Sequence, residues 1–454
     1  MRKTHKIQLT LAEPWLDLQP AQELKAISDL LDQHPKINAL IWQDLSGGRS
    51  PSTHGADGLS AEQVLRALVL KQMNGYSYRH LHFHLNDSRT YQGFCRLGLG
   101  DDIPCKSTLA SAIKRVRPET LEAINRILIG VAVEKKIETG RKARVDCTVV
   151  ESNIHRPSDS WLLWDAVRVL TRLMTRLRKL LGPEVITFND RRRRAKRRHR
   201  AAEDAKNAND RKAAYRDLLK VTAEVYQMAL RVRATAAEPA DLDLFQGLML
   251  QGLLAELDRY LPLTTRVVDQ TRRRVMEGET VSAEEKIVSI FEDHTDIIRK
   301  DRRDTYYGHK ICLSGGKSMM ILDCMILKGN PADSTLAEKM VVRHKEIFSR
   351  PPRQVTLDGG FASRANLQAI KGHEVRDVAF TKGRGLQVSE MVKSSWVYKQ
   401  LRRFRAGVES QISFLKRAFG LSRCTWRSLS SFHSYVWGSI VACNLLVMAR
   451  HALT

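Results

Sequence analysis

The sequence contains no Cys-x-x-Cys pair, because its seven cysteines lie scattered along 454 residues. This odd, dispersed set argues against a disulfide framework and against a zinc ribbon, and it favours reduced thiols in a cytoplasmic protein. The first residues also lack the apolar run of a signal peptide. The most apolar segment, residues 435–448, is short for a bilayer span and contains Asn444. It is therefore predicted to be a buried helix, and no membrane is expected as a partner.

Acidic residues are scarce relative to basic ones. Asp and Glu total 50 against 75 for Lys and Arg, which gives a formal net charge of +25. A chain this basic repels itself unless a polyanion is present, and nucleic acid is the commonest large polyanion. Acidic membranes and ribosomes are alternatives, but the excess is spread along most of the chain and so favours nucleic acid. The length predicts two to four domains, and a hydrophobic content of 43% allows a substantial core.

Residues 1–140 are predicted to form a helical domain that binds DNA. Ser60 and Gln63 have the spacing of a capping box, and Gly75 is predicted to close the helix that they begin. Short helices joined by tight turns are typical of helix-turn-helix modules, although a plain helical bundle would show the same pattern. The candidate DNA-contacting residues of this domain are Lys106, Lys114 and Arg115.

Residues 152–285 are predicted to form a basic helical insertion. Leu163, Val167 and Leu170 begin an apolar repeat that steps by four and three residues until Gly182 and Pro183. A dense basic run follows, which could be a solvated face or a nuclear-localisation signal. In a chain this basic, a helix that grips DNA phosphates is favoured. The residues predicted to do so are Arg191, Arg192, Arg193, Arg194, Lys196, Arg197 and Arg198.

Residues 141–151 and 286–454 alternate strands with helices, which predicts an α/β domain with a mixed sheet. Residues 142–150 alternate in polarity, with Asp146 and Thr148 on one face and Val145 and Cys147 on the other. Later strands are predicted at Lys286–Phe291, His309–Leu313, Met319–Leu327, Gln354–Asp358 and Val375–Phe380. Helices are predicted at 334–347, from about 363, at 401–419 and at 429–450.

Three carboxylates stand out by their positions. Asp146 lies inside a strand, where Asp is disfavoured, and Asp358 ends a later strand beside two glycines. Glu409 lies on a helix one turn after Arg405 and two turns before Lys416. An acid flanked by cations suits a metal site beside bound phosphate, with Arg405 and Lys416 neutralising the DNA. Each acid alone could be a turn former or half of a surface ion pair. The prediction of a metal site therefore depends on the positions of all three acids together.

These residues resemble the DDE transposases of bacterial insertion sequences, whose catalytic domain is ribonuclease-H-like. The closest resemblance is the signature Arg405-x3-Glu409-x6-Lys416, although Arg402 stands where those families usually have Tyr. Segments 145–150 and 356–361 resemble the blocks around the first two acids, and residues 60–117 resemble the N-terminal domain. Asp146 and Asp358 are 212 positions apart (358 − 146), because the insertion follows the first strand. Many relatives carry an insertion between the second Asp and the Glu instead.

The resemblance implies a function and a site. Asp146, Asp358 and Glu409 would hold two Mg²⁺ ions about 3.5–4 Å apart, with Mn²⁺ able to substitute. The site would cut DNA at the terminal inverted repeats of the element and join the freed 3′-OH to target DNA. A homodimer is expected, because two element ends must be handled together. The rival interpretations are a nuclease or resolvase of the same fold that does not join strands, and a non-catalytic DNA-binding protein descended from a transposase.

Three other groups of polar residues have simpler explanations. His80 and His84 could bind a metal, but no second pair of ligands accompanies them, so surface histidines are favoured. The acidic segment 292–296 could supply an outer ligand, but it is more typical of a capping turn. Asp333 precedes a predicted helix and is interpreted as its cap, although folding could bring it towards the acids.

Overall fold

The computed structural model describes residues 15–47, 58–98, 100–237, 242–299 and 304–454. The chain divides into two units. The first, here called the sheet unit, comprises residues 1–153 and 308–454, and the second, the helical unit, comprises 154–307. The predicted insertion at 152–285 lies almost entirely in the helical unit, which continues to Tyr307.

The described helices are numbered in chain order. Seven precede the first strand: α1 Gln19–Asp32, α2 Lys36–Ser46, α3 Ala61–Met73, α4 Tyr78–Asp87, α5 Arg89–Phe94, α6 Lys106–Ile113 and α7 Pro118–Glu134. Four belong to the helical unit: α8 Asp159–Leu181, α9 Arg192–Asp204, α10 Ala208–Ala236 and α11 Leu244–Thr271. Five follow in the second part of the sheet unit: α12 Ala337–Phe348, α13 Arg364–Gly372, α14 Val388–Met391, α15 Ser395–Ala418 and α16 Leu429–Leu453.

Local sequence signals set several of these helix ends as predicted. The side chain of Ser60 accepts a hydrogen bond from the Gln63 amide, and Gln63 bonds back to the Ser60 amide, so the capping box is confirmed. Gly75 has a φ of 62°, the left-handed conformation expected after a helix. The apolar repeat that begins at Leu163 is buried along α8 and packs against α10 and α11.

The strands are β1 Lys142–Glu151, β2 Asp296–Arg299, β3 Thr305–Gly315, β4 Ile321–Ile326, β5 Gln354–Leu357 and β6 Asp377–Phe380. In the sheet unit they run in the order β4-β3-β1-β5-β6. β1 is antiparallel to β3 and parallel to β5, so the predicted mixed sheet is confirmed. Glu151, the last residue of β1, pairs with Gly308, the first residue of the sheet unit after the helical unit.

The strand predicted at Lys286–Phe291 is wrong. This segment has no strand hydrogen bonds; instead the Gln270 side chain accepts from the Ile287 amide and donates to the Ile287 carbonyl. Ile287 and Ile290 are buried in the core of the helical unit. The alternating pattern therefore reflects packing against helices, because a side chain of α11 supplies the bonds that a neighbouring strand would have made.

The two faces of β1 enter different surroundings. Val145 and Cys147 belong to a core that also contains residues of α12 and α13. Val150, on the opposite face, belongs to the core shared with the N-terminal helices and α16. The predicted alternation of the strand is thus confirmed, and Asp146 lies on the second face.

Helix α16 is longer than the apolar segment recognised in the sequence. Its 25 residues make it long and apolar enough to cross a membrane by length and composition, so the argument from shortness was wrong. However, 72% of its most apolar window is buried inside the protein. It packs against α1, α3 and α7, as expected of a core helix.

Candidate active site

Asp146 and Asp358 lie side by side because of the register of two parallel strands. Val145 of β1 pairs with Leu357 of β5; Asp146 is the next residue of β1, and Asp358 is the first residue after β5. Asp358 begins a short 3-10 turn at Gly359–Phe361, where the chain leaves the sheet. The side chain of Asp146 is 16% exposed and that of Asp358 is 45% exposed. The two carboxylates therefore meet at the carboxyl end of β5, where α/β sheets present ligand-binding groups.

Helix α15 brings the third acid to this place, and Arg144 anchors the helix. Arg144 shares a strand face with Asp146, and its Nε donates to Oε1 of Gln411 at 2.8 Å. Its Nη1 donates to the Phe404 carbonyl at 3.1 Å, and its guanidinium lies 4.8 Å from the centre of the Phe404 ring. Burial lowers the pKa of Arg144 to about 10, while the charge of Glu138 acts in the opposite direction. These bonds tie the middle of α15 to the strand that carries Asp146.

A glycine in the middle of α15 makes room for this anchor. A Cβ at Gly407 would collide with Nη1 of Arg144. Glycine costs about 1 kcal/mol relative to alanine inside a helix, so its presence indicates a packing requirement. Gly407 lies between Arg405 and Glu409, on the turn that faces the sheet. The close approach of strand and helix at this point brings Glu409 towards Asp146.

The guanidinium of Arg405 contacts all three acids. Its Nη1 donates to Oε1 of Glu409 at 2.7 Å, and its Nη2 donates to Oδ2 of Asp146 at 2.9 Å. The same Nη2 lies 3.4 Å from Oδ1 of Asp358. The Arg405 side chain is only 9% exposed, whereas that of Glu409 is 68% exposed. The three predicted acids therefore converge on one buried cation, and the cluster opens to solvent on the side of Glu409.

Electrostatics favour the charged form of this cation. Burial lowers the pKa of Arg405, but the bond to Glu409 and the charges of Asp146 and Asp358 outweigh it, so the pKa lies above its ordinary value. Among the contacts that the structure describes, the one positive charge of Arg405 meets three carboxylates, which leaves these contacts with an excess of negative charge. Such an excess attracts further cations.

The donor set has the chemistry of a divalent metal site. Carboxylate oxygens are the ligands that Mg²⁺ and Mn²⁺ prefer, and here three carboxylates surround a space the size of one guanidinium. Within the described ranges, no three His, Cys, Asp or Glu side chains are arranged to hold a metal ion by themselves. At this site the three acids do not form such an arrangement, because the guanidinium of Arg405 lies between them. The residues fit a metal centre whose ligands are held by an internal cation.

A second ion pair lies behind the turn of Asp358. Lys310 of β3 pairs with Oδ1 of Asp333 at 2.5 Å and donates to the Pro331 carbonyl at 2.6 Å. A Cβ at Gly360 would come within 2.8 Å of Oδ2 of Asp333. The interpretation of Asp333 as a helix cap is wrong, since no side chain caps the 3-10 turn Asp333–Leu336 or α12. Asp333 instead packs against the turn that presents Asp358.

The side chain of Asn366 strengthens the same turn. Its Nδ2 donates to the carbonyl of Ser334 at 2.7 Å and to that of Phe361 at 2.8 Å. One amide group thus joins the loop of Asp333 to the loop of Asp358. Because each acid of the cluster is held by such contacts, its position depends on residues far apart in the sequence.

Two further cations of α15 lie on either side of Arg405 and Glu409 along the helix. Lys416 lies two turns after Glu409 and is half-buried, and Arg402 is exposed one turn before Arg405. In the N-terminal helices, α6 begins at Lys106, and the three candidate DNA-contacting residues Lys106, Lys114 and Arg115 are all exposed. Their side chains therefore face solvent, as a contact with DNA requires.

The basic run of the helical unit forms α9, and its cations fall into two groups. Asp217 of α10 pairs with Arg194 and with Arg198. Arg192 pairs with Asp190, and Arg191 lies 3.4 Å from Glu224. The remaining members share one exposed face at helical spacing and make no ion pair with another described residue: Arg193, Lys196, Arg197 and Arg200. This face, here called the α9 cation stripe, includes Arg200, the last residue of the basic run.

The other polar groups have structural roles. His84 stacks on Tyr76, and Nδ1 of His82 lies 3.0 Å from the Pro104 carbonyl. The acidic segment 292–296 forms a turn in the helical unit, where Glu292 bonds to His294 and Asp293 to Arg259. Both interpretations, surface histidines and a turn, agree with these contacts.

Sequence reasoning identified the acids but not the residues that position them. Arg144 had a detectable signal, because it stands two residues before Asp146 on the same strand face. Gly407 was also visible as a glycine inside a helical pattern. Gln411, Lys310 and Asn366 gave no local signal, since their partners are remote in sequence.

Comparison with known families is consistent with this site. Residues 260–445 match the family described as Transposase DDE domain, and residues 14–115 match the family described as Transposase domain (DUF772). The first match includes Asp358 and Glu409, whereas Asp146 lies outside both. No curated protein and no solved structure matches the chain. The sheet and its helices are those of a ribonuclease-H-like DDE domain, so the predicted fold class is confirmed. The chain therefore belongs to the DDE transposases of insertion sequences, and it is an enzyme of that family.

Proposed function

We propose that this transposase cuts DNA at the terminal inverted repeats of its element and joins the resulting 3′-OH to target DNA. Asp146, Asp358 and Glu409 are its catalytic acids. The observation that carries the proposal is their convergence on the Arg405 guanidinium, from two strands and one helix. Three carboxylates at one point repel one another, so their convergence is favourable only where cations accompany them.

The acids would hold divalent metal ions. Enzymes of this family generally use such ions, and we propose two Mg²⁺ per site, with Mn²⁺ as a substitute. Bound there, the ions supply an activated oxygen nucleophile and stabilise the leaving oxygen of the phosphodiester. Asp146 is the least exposed of the three acids, so it would be the metal ligand most enclosed by the protein. Its own backbone contact, from the Cys147 amide to Oδ1 at 2.8 Å, fixes the orientation of the carboxylate.

The protein's cations would hold the DNA. Family membership implies DNA binding, and we propose that Lys416, two turns after Glu409 on α15, contacts a phosphate near the cut. Lys106, Lys114 and Arg115 at the two ends of α6 would contact the element ends, and the α9 cation stripe would bind flanking or target DNA. Phosphate contacts of this kind give affinity without requiring a base sequence. A homodimer would hold two element ends together.

A cleavage and strand-transfer assay on labelled element-end DNA with Mg²⁺ tests the proposal. Wild type is compared with Glu409→Gln, which keeps the size of the side chain and removes its charge. The matched control is Glu346→Gln, because Glu346 is an exposed acid of α12. We expect joined products from wild type and the control, and none from Glu409→Gln, while all three proteins bind the DNA.

Each other outcome has a definite meaning. Cleavage without joining would replace the proposal with a nuclease or resolvase activity. DNA binding without cleavage by the wild-type protein would identify a DNA-binding protein that has lost its activity. Joining by Glu409→Gln at the wild-type rate would show that the third acid has been assigned wrongly.

A further inference from the structure

We propose that Arg405 is a resident counter-ion of the acid cluster, which divalent metal ions displace when they bind. The inference rests on the proposed function, because it takes Asp146, Asp358 and Glu409 as the metal ligands. It assigns Arg405 a role as a positioning residue, in addition to the neutralisation of DNA phosphate that the sequence signature implies.

The first observation is the identity of the atoms that Arg405 occupies. Its Nη1 and Nη2 bond to Oε1 of Glu409 and Oδ2 of Asp146, and Nη2 also lies near Oδ1 of Asp358. Carboxylate oxygens that accept from a guanidinium cannot use the same lone pairs for a metal ion. Because Glu409 and Asp146 each have one oxygen engaged in this way, and Asp358 Oδ1 lies 3.4 Å from the same guanidinium, a metal ion and the guanidinium compete for the cluster.

The second observation is that the guanidinium is held incompletely. Nε of Arg405 is buried but has no hydrogen-bond partner in the part of the chain that the structure describes. A buried donor without an acceptor costs free energy. Arg144 shows the contrast, since its Nε, Nη1 and Nη2 each have an acceptor in Gln411, Phe404 or Met319. Arg144 is a permanent anchor of α15, whereas Arg405 has a bonding deficit that displacement would relieve.

The third observation is a route for the displaced side chain. Glu409 is 68% exposed and Asp358 is 45% exposed, so the cluster opens to solvent beside the end of the Arg405 side chain. A rotation about its flexible side-chain bonds carries the guanidinium towards this opening. There it can meet a DNA phosphate, for which guanidinium geometry is well suited. Metal entry and phosphate binding would then favour each other, because both use the displaced conformation.

The counter-ion also explains how the cluster persists without metal. Three carboxylates at one point repel one another, and removal of the partner of a buried charge is strongly destabilising. Arg405 compensates part of this negative charge when no metal ion is bound. The protein thereby keeps its ligands near their working positions at the expense of metal affinity.

Isothermal titration of the full-length protein with Mn²⁺, in the absence of DNA, tests the inference. The variants are Arg405→Gln and the matched control Arg402→Gln, which removes the same charge from an exposed position one turn away on α15. We expect Arg405→Gln to lower the Kd for Mn²⁺ about tenfold, the factor that corresponds to ~1.4 kcal/mol of lost competition. Arg402→Gln should bind Mn²⁺ as wild type does.

A second variant covers the case in which Arg405→Gln does not fold. Arg405→Lys retains the charge but cannot bridge three acids from one planar group, so its Mn²⁺ affinity should lie between those of wild type and Arg405→Gln. As a readout of folding, the rise in Tm on adding Mn²⁺ should be larger in both Arg405 variants than in wild type.

The outcomes separate this inference from the proposed function. Equal or weaker Mn²⁺ binding by the Arg405 variants, combined with its loss in Asp146→Asn, would overturn the counter-ion role and leave the proposed active site intact. Mn²⁺ binding that survives Asp146→Asn unchanged would overturn the proposed site and the counter-ion role with it.

Discussion

Gly407 of α15 provides the space that the guanidinium of Arg144 fills, and this fit sets the distance between the helix and β1. The relationship joins two residues that are 263 positions apart (407 − 144). It matters for the site because Asp146 is two residues from Arg144, and Glu409 is two residues from Gly407.

Gly407→Ala should therefore destabilise the sheet unit, although alanine is the better helix former. The added methyl group would displace Arg144 or lift α15, at a cost of about 1–3 kcal/mol for overpacking. Thermal unfolding measures the change, and the strand-transfer assay should show a matching loss. Gly130→Ala in α7 is the control, since nothing lies within 4 Å of the added Cβ there; it should stabilise the protein by about 0.5–1 kcal/mol. If Gly407→Ala and Gly130→Ala changed the thermal stability equally, the close fit between Gly407 and Arg144 would be contradicted.

The α9 cation stripe should bind DNA, and the paired arginines of the same helix should contribute less. We expect Arg193→Ala combined with Arg197→Ala to reduce the slope of log Kd against log salt by about 1.8, the value for two lost phosphate contacts. Arg194 and Arg198 already pair with Asp217, so their double alanine variant should change the slope less. Filter binding over a range of salt concentrations gives both slopes. If the second variant loses as much as the first, the division of the helix into two groups of cations is wrong.

His344 should make the stability of the sheet unit depend on pH. Its Nε2 lies 2.8 Å from the Gly140 carbonyl, and burial lowers its pKa to about 4, against the weaker raising effect of that bond. The unfolded chain thus binds a proton at a higher pH than the folded protein does. The contribution of neutral His344 to the stability of the folded protein is therefore complete above about pH 6.5, and it is lost as the pH falls towards 4.

The free energy of unfolding of the wild-type protein should be higher at pH 7.5 than at pH 5, and His344 should account for about 2 kcal/mol of this difference. His344→Gln should reduce the difference by that amount. Urea denaturation at the two pH values measures this difference. His451→Gln is the control, because His451 is exposed near the end of α16. An unchanged pH dependence in His344→Gln would mean that other groups account for the acid sensitivity.

Asn444 should be required for the attachment of α16 to β4. Its side chain accepts from the Ile321 amide at 2.9 Å, donates to the Ile321 carbonyl at 2.8 Å, and donates to Oδ1 of Asn125 at 2.7 Å. Asn444→Leu has a similar size but leaves these buried groups without partners, so we expect a loss of about 2–4 kcal/mol. Asn444→Asp keeps the acceptor for the Ile321 amide but turns a carboxylate oxygen towards two acceptors, so its loss should be at least as large at neutral pH and should shrink at low pH, where the protonated acid can donate one bond. Chemical denaturation ranks the variants, and a leucine variant as stable as wild type would refute the prediction.

The sequence allowed prediction of features that depend on near neighbours. The alternation around Asp146, the capping box at Ser60 and the cation–acid spacing on α15 all have periods of two to four residues, which local rules describe well. The order of strands and helices then indicated the mixed sheet. The predicted acids lie together because the parallel register of β1 and β5 brings two of them side by side.

Features that depend on remote partners were missed or misread. Lys286–Phe291 has the composition of a strand, but the side chain of Gln270 takes up the Ile287 backbone groups. Asp333 has the position of a helix cap, but Lys310 lies close enough to bind it. In both cases a tertiary contact replaced the local bond that the pattern suggested, and a single sequence contains no record of such a contact.

The pairing of Glu151 with Gly308 has a consequence for how this protein could have arisen and how it folds. The helical unit leaves and rejoins the sheet at two directly opposed residues, which is where a short hairpin turn would stand in a smaller ancestor. An insertion at such a point leaves the register of the sheet unchanged, so its length can vary through evolution without rebuilding the catalytic core. Assembly of β1 with β3 must otherwise close a very long loop. A helical unit that folded first, from contacts local to its own helices, would shorten that loop and promote formation of the sheet.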